Sequence, residues 1–373
     1  MQATELLALT TKVLWASFFL SLIFGAIAQR THFCTMGAVS DVVNMGDWTR
    51  MRQWGMAMGV AMIGFAALVL AGQVDPAKTL YSSTRWIWLS ALVGGAMFGF
   101  GMVLASGCGS KTLVRIGAGN LKSLVVFLVM AVTAFATLKG MTAVARVATV
   151  DRVAIDIAAG TTLPALSAAA FGIKPAIAGM VLALVLGGGL VAWALAGFRK
   201  SEHPGENLLA GLGIGAVVAA MWWVSGHMGF IAEHPETLQE AFLATNSGRA
   251  EALSFVSPVA YTLDWFMFFS DKSKVLTLGI VSVFGVVAGS AIVALATRSF
   301  RWEGFGSTED VANHIGGAAL MGVGGVTAMG CTVGQGLSGI STLSITSFLA
   351  VAAILAGSVA AFKYQMWRLE RMA

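Results

Sequence analysis

Long apolar stretches with thin polar punctuation dominate the chain. Gly55–Val74, Trp86–Ser110, Pro175–Phe198, Leu208–Gly226 and Val275–Thr297 each contain no Asp, Glu, Lys or Arg. Each reaches the roughly 20 residues that a helix needs to cross the hydrocarbon of a bilayer. Alternating strands flanked by aromatic girdles are missing, which disfavours a transmembrane β-barrel. Val13–Gln29 is a further apolar stretch without a basic leader or a small-residue cleavage site, and it reads as part of the mature protein. Two shorter stretches, Thr35–Gly46 and Pro258–Ser270, end at Asp47 and Asp271. Their length suits re-entrant or interfacial helices better than spans. Ser257-Pro258 is a helix-start signal, with serine as N-cap and proline at the first helical position.

One run breaks this pattern. Val311–Phe362 carries no formal charge yet is more than twice the length of a span. The chain must turn inside it, and the flexible stretch available is Gly330-Cys331-Thr332-Val333-Gly334-Gln335-Gly336-Leu337-Ser338-Gly339. A break at membrane depth is tolerated where protein buries it or where it lines a polar cavity.

An internal repeat runs through the same region. With an offset of 223 residues (331 minus 108), Gly94/Gly317, Gly99/Gly322, Gly101/Gly324, Ala105/Ala328, Gly107/Gly330 and Cys108/Cys331 fall in register. The same gap-free shift carries Cys34 onto Ser257 and Asp41 onto Asp264. Residues 1–373 therefore read as one membrane domain: a repeat over about 13–140, connecting segments over 141–235, and a second repeat over about 236–363. Residues 140–174, with Arg146, Asp151, Arg152 and Asp156, read as an extramembrane loop with an amphipathic helix. Paired repeats with interrupted helices are a transporter pattern, with substrate bound near the midplane at their interface. The expected fold is an all-α polytopic membrane protein of two inverted repeats with broken or re-entrant helices.

Composition agrees. Only 11% of the 373 residues are charged and 57% are hydrophobic, against roughly 25% charged in a soluble domain. The net charge of +5 is spread over short loops and makes no basic stripe, so nucleic acid is not an expected partner. The basic tail Lys363–Arg371 favours a cytoplasmic C-terminus, and the acidic Glu5 near the other end favours a periplasmic N-terminus.

Cys34, Cys108 and Cys331 are the cysteines, without CxxC or zinc-like spacing, and no metal or cofactor is expected. A thiol at the N-terminus of a buried half-helix sits among unpaired N–H groups and the positive dipole end. That is an anion site made without lysine or arginine, and soft sulfur suits an anion with a terminal sulfur. Several weak sites in series let an ion enter without being trapped. The competing reading of each cysteine is packing, since free cysteine is often buried; repeat-related positions favour function. Gly107, Gly109, Gly330 and Gly334 flank the cysteines and shape the breaks. Arg30 and Lys111 draw an anion toward one mouth or snorkel to headgroups. Asp41 and Asp264 cap or pair rather than carry protons.

The motifs Gln29-Arg30-Thr31-His32-Phe33-Cys34, Gly99-Phe100-Gly101-Met102-Val103-Leu104-Ala105-Ser106-Gly107-Cys108-Gly109 and Gly330–Gly339, with Ser257-Pro258, resemble those of the YeeE/YedE family of sulfur transporters. The resemblance covers both repeats. It implies thiosulfate uptake across a bacterial inner membrane through an hourglass of helices with pseudo-twofold inverted symmetry. It further implies that Cys34, Cys108 and Cys331 line the central waist as substrate ligands. For some relatives it implies a small cytoplasmic sulfur-carrier partner of the TusA type. Thr31-His32 and Lys111 depart from the family's usual residues. On this reading the protein is a transporter and not an enzyme. Two rivals stand beside it: a membrane sulfurtransferase that forms a cysteine persulfide, and a soft-metal channel using Cys, Met and His.

Overall fold

A computed structural model describes residues 3–235 and 237–372. Apart from two-residue ribbons, Arg85–Trp86 with Ile155–Asp156 and Phe230–Ile231 with Ala241–Phe242, its regular structure is helical among the described residues. In chain order the helices are α1 (Ala3–Arg30), α2 (Thr35–Met45), α3 (Thr49–Leu70), α4 (Trp88–Leu104), α5 (Gly109–Gly117), α6 (Leu121–Lys139), α7 (Met141–Ala148) and α8 (Leu163–Phe171). They continue with α9 (Pro175–Phe198), α10 (Pro204–Met228), α11 (Ser257–Met267), α12 (Leu278–Ala296), α13 (Thr308–Thr327), α14 (332–341) and α15 (Ile345–Met372). Eight apolar segments among the described residues are long enough to cross a membrane. The five charge-free runs fall on α3, α4, α9, α10 and α12. The chain is an all-α polytopic membrane protein.

Local sequence sets the helix ends. Asn120 caps α6 by accepting from Ser123 N–H at 2.8 Å, and Ser307 caps α13 by accepting from Asp310 N–H at 3.1 Å. Glu309 and Asp310 stand in the first turn of α13, where the dipole favours them. Gly46 closes α2 at φ 69°, a left-handed position with open space around it.

The inner helices pack backbone to backbone. A Cβ on Gly101 would stand 2.6 Å from the carbonyl oxygen of Gly317, and a Cβ on Gly317 would stand 2.6 Å from that of Gly101. This reciprocal crossing of α4 and α13 needs the absence of both side chains. Other contacts come in matching pairs. α4 packs on α15 as α13 packs on α6; α1 packs on α12 as α10 packs on α3; α5 meets α12 as α14 meets α3; α6 meets α11 as α15 meets α2.

Two expectations need adjustment. The shift that carries α2–α6 onto α11–α15 fails before Ser257, because residues 237–256 hold no helix where the mate of α1 should lie. α10 takes that place, and a looped stretch separates it from α11. Residue 236, the expected start of the second repeat, lies outside the described residues. The break near Cys331 is also shorter than expected: chain 328–331 is irregular, but 332–341 is a buried helix with a π-helical segment at Gly334–Gly339. Helical bonding there satisfies backbone groups that a flexible stretch would leave bare.

Ion pairs mark two faces. Arg30–Glu206, Lys122–Asp310 and Arg368–Glu309 lie on one, here the first face. Lys78–Glu240, Arg146–Asp151 and Lys274–Asp264 lie on the second.

Candidate functional site

α4 and α13 end in the same way. After α4, Ser106 takes φ 56° and donates its N–H to Val103 O at 3.1 Å, while Gly107 N–H bonds Met102 O at 2.8 Å. After α13, Met329 takes φ 57° and donates to Val326 O at 3.0 Å, while Gly330 N–H bonds Gly325 O at 2.8 Å. All four pairs of positions are 223 residues apart. These are Schellman closures, but with non-glycine residues in the left-handed position, which costs about 1–3 kcal/mol each. Each closure reverses the chain and delivers a cysteine, Cys108 or Cys331, to the start of the next short helix. Sequence reading missed Ser106 and Met329; the only signal was the glycine after each.

The three thiols are buried at 5% exposure for Cys34 and 0% for Cys108 and Cys331. None is paired in a disulfide. Cys34 is the N-cap of α2, and its Sγ accepts from Gly37 N–H at 3.4 Å. Cys331 Sγ accepts from Gly334 N–H at 3.4 Å, the corresponding place on α14. Cys108 stands at the N-cap position of α5 without a side-chain capping bond, its Sγ 3.3 Å from Ser110 Oγ. Cys34 and Cys108 face each other, and Thr332 brings the start of α14 against Cys108. The structure therefore gathers three sequence-distant thiols at helix starts, two of them with a backbone N–H directed at the sulfur and the third beside a serine hydroxyl.

Other donors in this region lack acceptors. The hydroxyls of Thr35 and Thr332 and the indole N–H of Trp54 are buried without a hydrogen-bond partner. All three residues line one cavity of about 40 Å³ between α2, α3, α14 and α15. A buried polar group left unpaired costs about 1–3 kcal/mol. The wall that this cavity presents is nevertheless apolar, so the three donors are turned away from it. Trp54 is held in place by stacking on Phe33 at 4.6 Å between ring centroids.

The remaining expected residues divide clearly. Lys111 is half-buried near Cys34 and Cys108, with its stem against Gly107. Gly109 packs beside Phe255, and a Cβ on Gly334 would stand 2.6 Å from Ser254 Oγ. Gly330 follows Met329 in the closure. Arg30 is on the surface, 56% exposed and paired with Glu206 at 3.0 Å, so it is not brought to the thiols. Arg50, which sequence reading did not single out, pairs with Asp41 at 3.3 Å and reaches Gly37 at the start of α2. Asp264, the mate of Asp41, likewise pairs with Lys274 at 2.6 Å.

Ser257 departs from its expected role. Val256 is the N-cap of α11, Ser257 is the first helical residue, and Pro258 is the second. The Ser257 side chain makes no capping bond and instead lines a cavity of about 320 Å³ that opens on the second face. The proline tolerates either of the first two positions, since neither N–H has an intrahelical acceptor. Among the described residues, no group of three or more His, Cys, Asp or Glu side chains is arranged to hold a metal ion.

The sequence is similar to those of known transporters. A family model described as sulphur transport matches residues 30–360. The chain is 27% identical over 350 residues to a thiosulfate transporter TsuA of Spirochaeta thermophila, covering 91% of this chain and 94% of that protein. It is 26% identical over 325 residues to the thiosulfate transporter TsuA of Escherichia coli, covering 84% of each. A probable transporter YedE of Escherichia coli is 31% identical over 97 residues, 26% of this chain and 22% of that one. The match takes in both closures and all three cysteines, and the chain belongs to the sulphur transport family.

Proposed function

We propose that this protein takes up thiosulfate across the cytoplasmic membrane, with Cys331, Cys108 and Cys34 as successive ligands and no covalent change to the ion. The observation that carries the reading is the convergence of the three buried thiols, each at a helix start and each beside a hydrogen-bond donor. Thiosulfate offers what this lining takes: oxygens for N–H and O–H donors and a soft terminal sulfur for thiols. The names of the two long-matching relatives point the same way. A persulfide mechanism requires a base beside the reacting thiol, and backbone amides rather than carboxylates surround Cys331.

The proposal includes an inverted relation between the halves. The swapped contact pairs and the reciprocal Gly101/Gly317 crossing support it. In this arrangement the second face and the N-terminus are outside, and the basic C-terminal tail is inside. A small cytoplasmic sulfur-carrier of the TusA type would then receive or consume the ion at the first face.

The test is uptake of labelled thiosulfate into proteoliposomes by wild type and by Cys34→Ala, Cys108→Ala and Cys331→Ala. Each substitution is expected to reduce uptake at least tenfold, about 1.4 kcal/mol or more of barrier, with unchanged elution as a folded protein. Full transport by all three variants overturns the relay, and preference for another sulfur oxyanion corrects the substrate.

Energetics leave one requirement. Moving a dianion inward against about 100 mV costs about 4.6 kcal/mol. A compensating cation or immediate consumption inside must offset it.

A further inference from the structure

The cavity of about 320 Å³ on the second face is lined by Ser257, Ser254 and Met329, which flank the segments leading to Cys331. It also holds Glu251. We infer that Glu251 is a proton-binding site through which thiosulfate entry is coupled to proton entry. This rests on the uptake reading above and supplies the compensating charge that it requires.

The geometry isolates this carboxylate from cations. Its backbone N–H bonds Ser225 Oγ of α10 at 2.8 Å, which fixes it at the cavity wall. Its oxygens accept from Ser247 Oγ at 2.9 Å and Asn246 N–H at 3.4 Å, both neutral. Each cation near the cavity is already engaged. Arg146 is paired with Asp151 at 3.0 Å, and Asp151 also accepts from Ser90 at 2.6 Å. Arg249 donates to the carbonyls of Ser82 and Thr79 at 2.7 and 3.4 Å. Lys274, after α11, is held by Asp264. The remaining titratable groups near it are Tyr81 of the 79–82 loop and Tyr261 of α11. The linings from α12 and α13 bring only Leu278, Gly279, Ser282, Val326 and Thr327.

Burial without a counter-ion raises the Glu251 carboxyl to about pH 7, despite bonds that favour the ionised form. The group is therefore neutral below that pH and charged above it. A dianion entering this cavity meets a repelling carboxylate at high pH and a neutral acid at low pH. Each approach of the ion favours uptake of a proton, and proton and ion then travel toward the thiols together. One proton per ion halves the charge moved across the membrane, and two remove it.

The experiment uses proteoliposomes with a trapped pH dye, labelled thiosulfate and imposed gradients. Thiosulfate exchange at equal pH and concentration tests the substrate reading first; its absence removes both proposals. With exchange present, an acid-outside gradient of one pH unit is expected to raise wild-type uptake at least threefold and to acidify the lumen as thiosulfate enters. Uptake should fall as external pH rises through about 7, because Glu251 loses its proton there. Glu251→Gln is expected to abolish the acid stimulation. Should that variant lose all uptake, Glu251→Asp decides: a pH midpoint moved lower supports the assignment, and an unmoved midpoint overturns it. Acid stimulation that persists in Glu251→Gln, wild-type uptake indifferent to the proton gradient, or stimulation by a sodium gradient at fixed pH also overturns it.

Discussion

The two ends of the waist share a backbone and differ in chemistry. Toward the first face, α4 closes at Ser106, delivers Cys108, and is followed by Lys111 and Arg115; Cys34 stands opposite, with Arg50 near it. Toward the second face, α13 closes at Met329 and delivers Cys331, but Gly334 and Ser338 stand where the other end has Lys111 and Arg115. Ser257 stands where the offset places the mate of Cys34, and Glu251 lines the cavity beside it. The duplicated part is the part that backbone geometry demands: the left-handed residue, the i to i−5 bond, and the thiol at a helix start. The diverged part sets polarity. One end sets Lys111 beside two thiols; the other sets Glu251 in a cavity whose Arg146 is already paired with Asp151. The difference separates the scaffold, which is the same twice, from the side chains hung on it, which are not.

Substitution at the crossing breaks the comparison most severely. Gly101→Val and Gly317→Val each drive a side chain into a facing carbonyl. Overpacking here is expected to cost about 3 kcal/mol or more and to lower folded yield equally from either half, read by size-exclusion in detergent. Gly316→Ala, on the same helix with open space around it, should leave the yield unchanged. Equal tolerance of all three variants would show that the crossing is loose.

Lys111→Gln tests the basic end alone. Removing that charge should raise the apparent KM for thiosulfate about tenfold, about 1.4 kcal/mol, with a smaller change in maximal rate. The effect should weaken in high salt less than an exposed charge would, because Lys111 is half-buried. Ser257→Cys sharpens the comparison by restoring a fourth thiol. Uptake within about threefold of wild type is expected, along with new labelling by a small thiol reagent added from the second face, since Ser257 lines the open cavity. Protection of this new thiol by thiosulfate would place the ion there. The smallest effect is predicted for Arg30→Ala, which removes an exposed pair worth about 0–1 kcal/mol and should leave uptake within twofold.

Much of this was legible in the sequence, for reasons specific to its solvent. Charge-free runs such as Pro175–Phe198 report directly on hydrocarbon contact, and that helix matches its run from end to end. The offset of 223 residues located the closures because cysteine and glycine are constrained there by backbone contact. Where constraint was weaker, legibility failed. Ser106 and Met329 carry no marker of a left-handed backbone, since neither is Gly or Asn. The start of the second repeat near 236 came from a shift without gaps, and such a shift cannot pass through the looped stretch between α10 and α11. Ser257 looked like a cap, but the helix starts one residue earlier and frees it to face a cavity. Sequence reading did not single out Glu251. Its surroundings come from α10, the 79–82 loop, α11 and α12, and no local pattern reports on them.

The reciprocal seating of Gly101 and Gly317 has a mechanical consequence. Each carbonyl occupies the notch left by the other glycine, so the pair acts as a pin. α4 and α13 have no slack to slide along one another, and a ratchet or a one-turn shear of the halves would drive oxygen into backbone. Gly94 and Gly324 are seated reciprocally in the same way, at 2.7 and 2.6 Å, so the helices lock at two points and rotation about either one is blocked as well. The α4–α13 pair is therefore one rigid strut, against which the short helices that carry the cysteines are set.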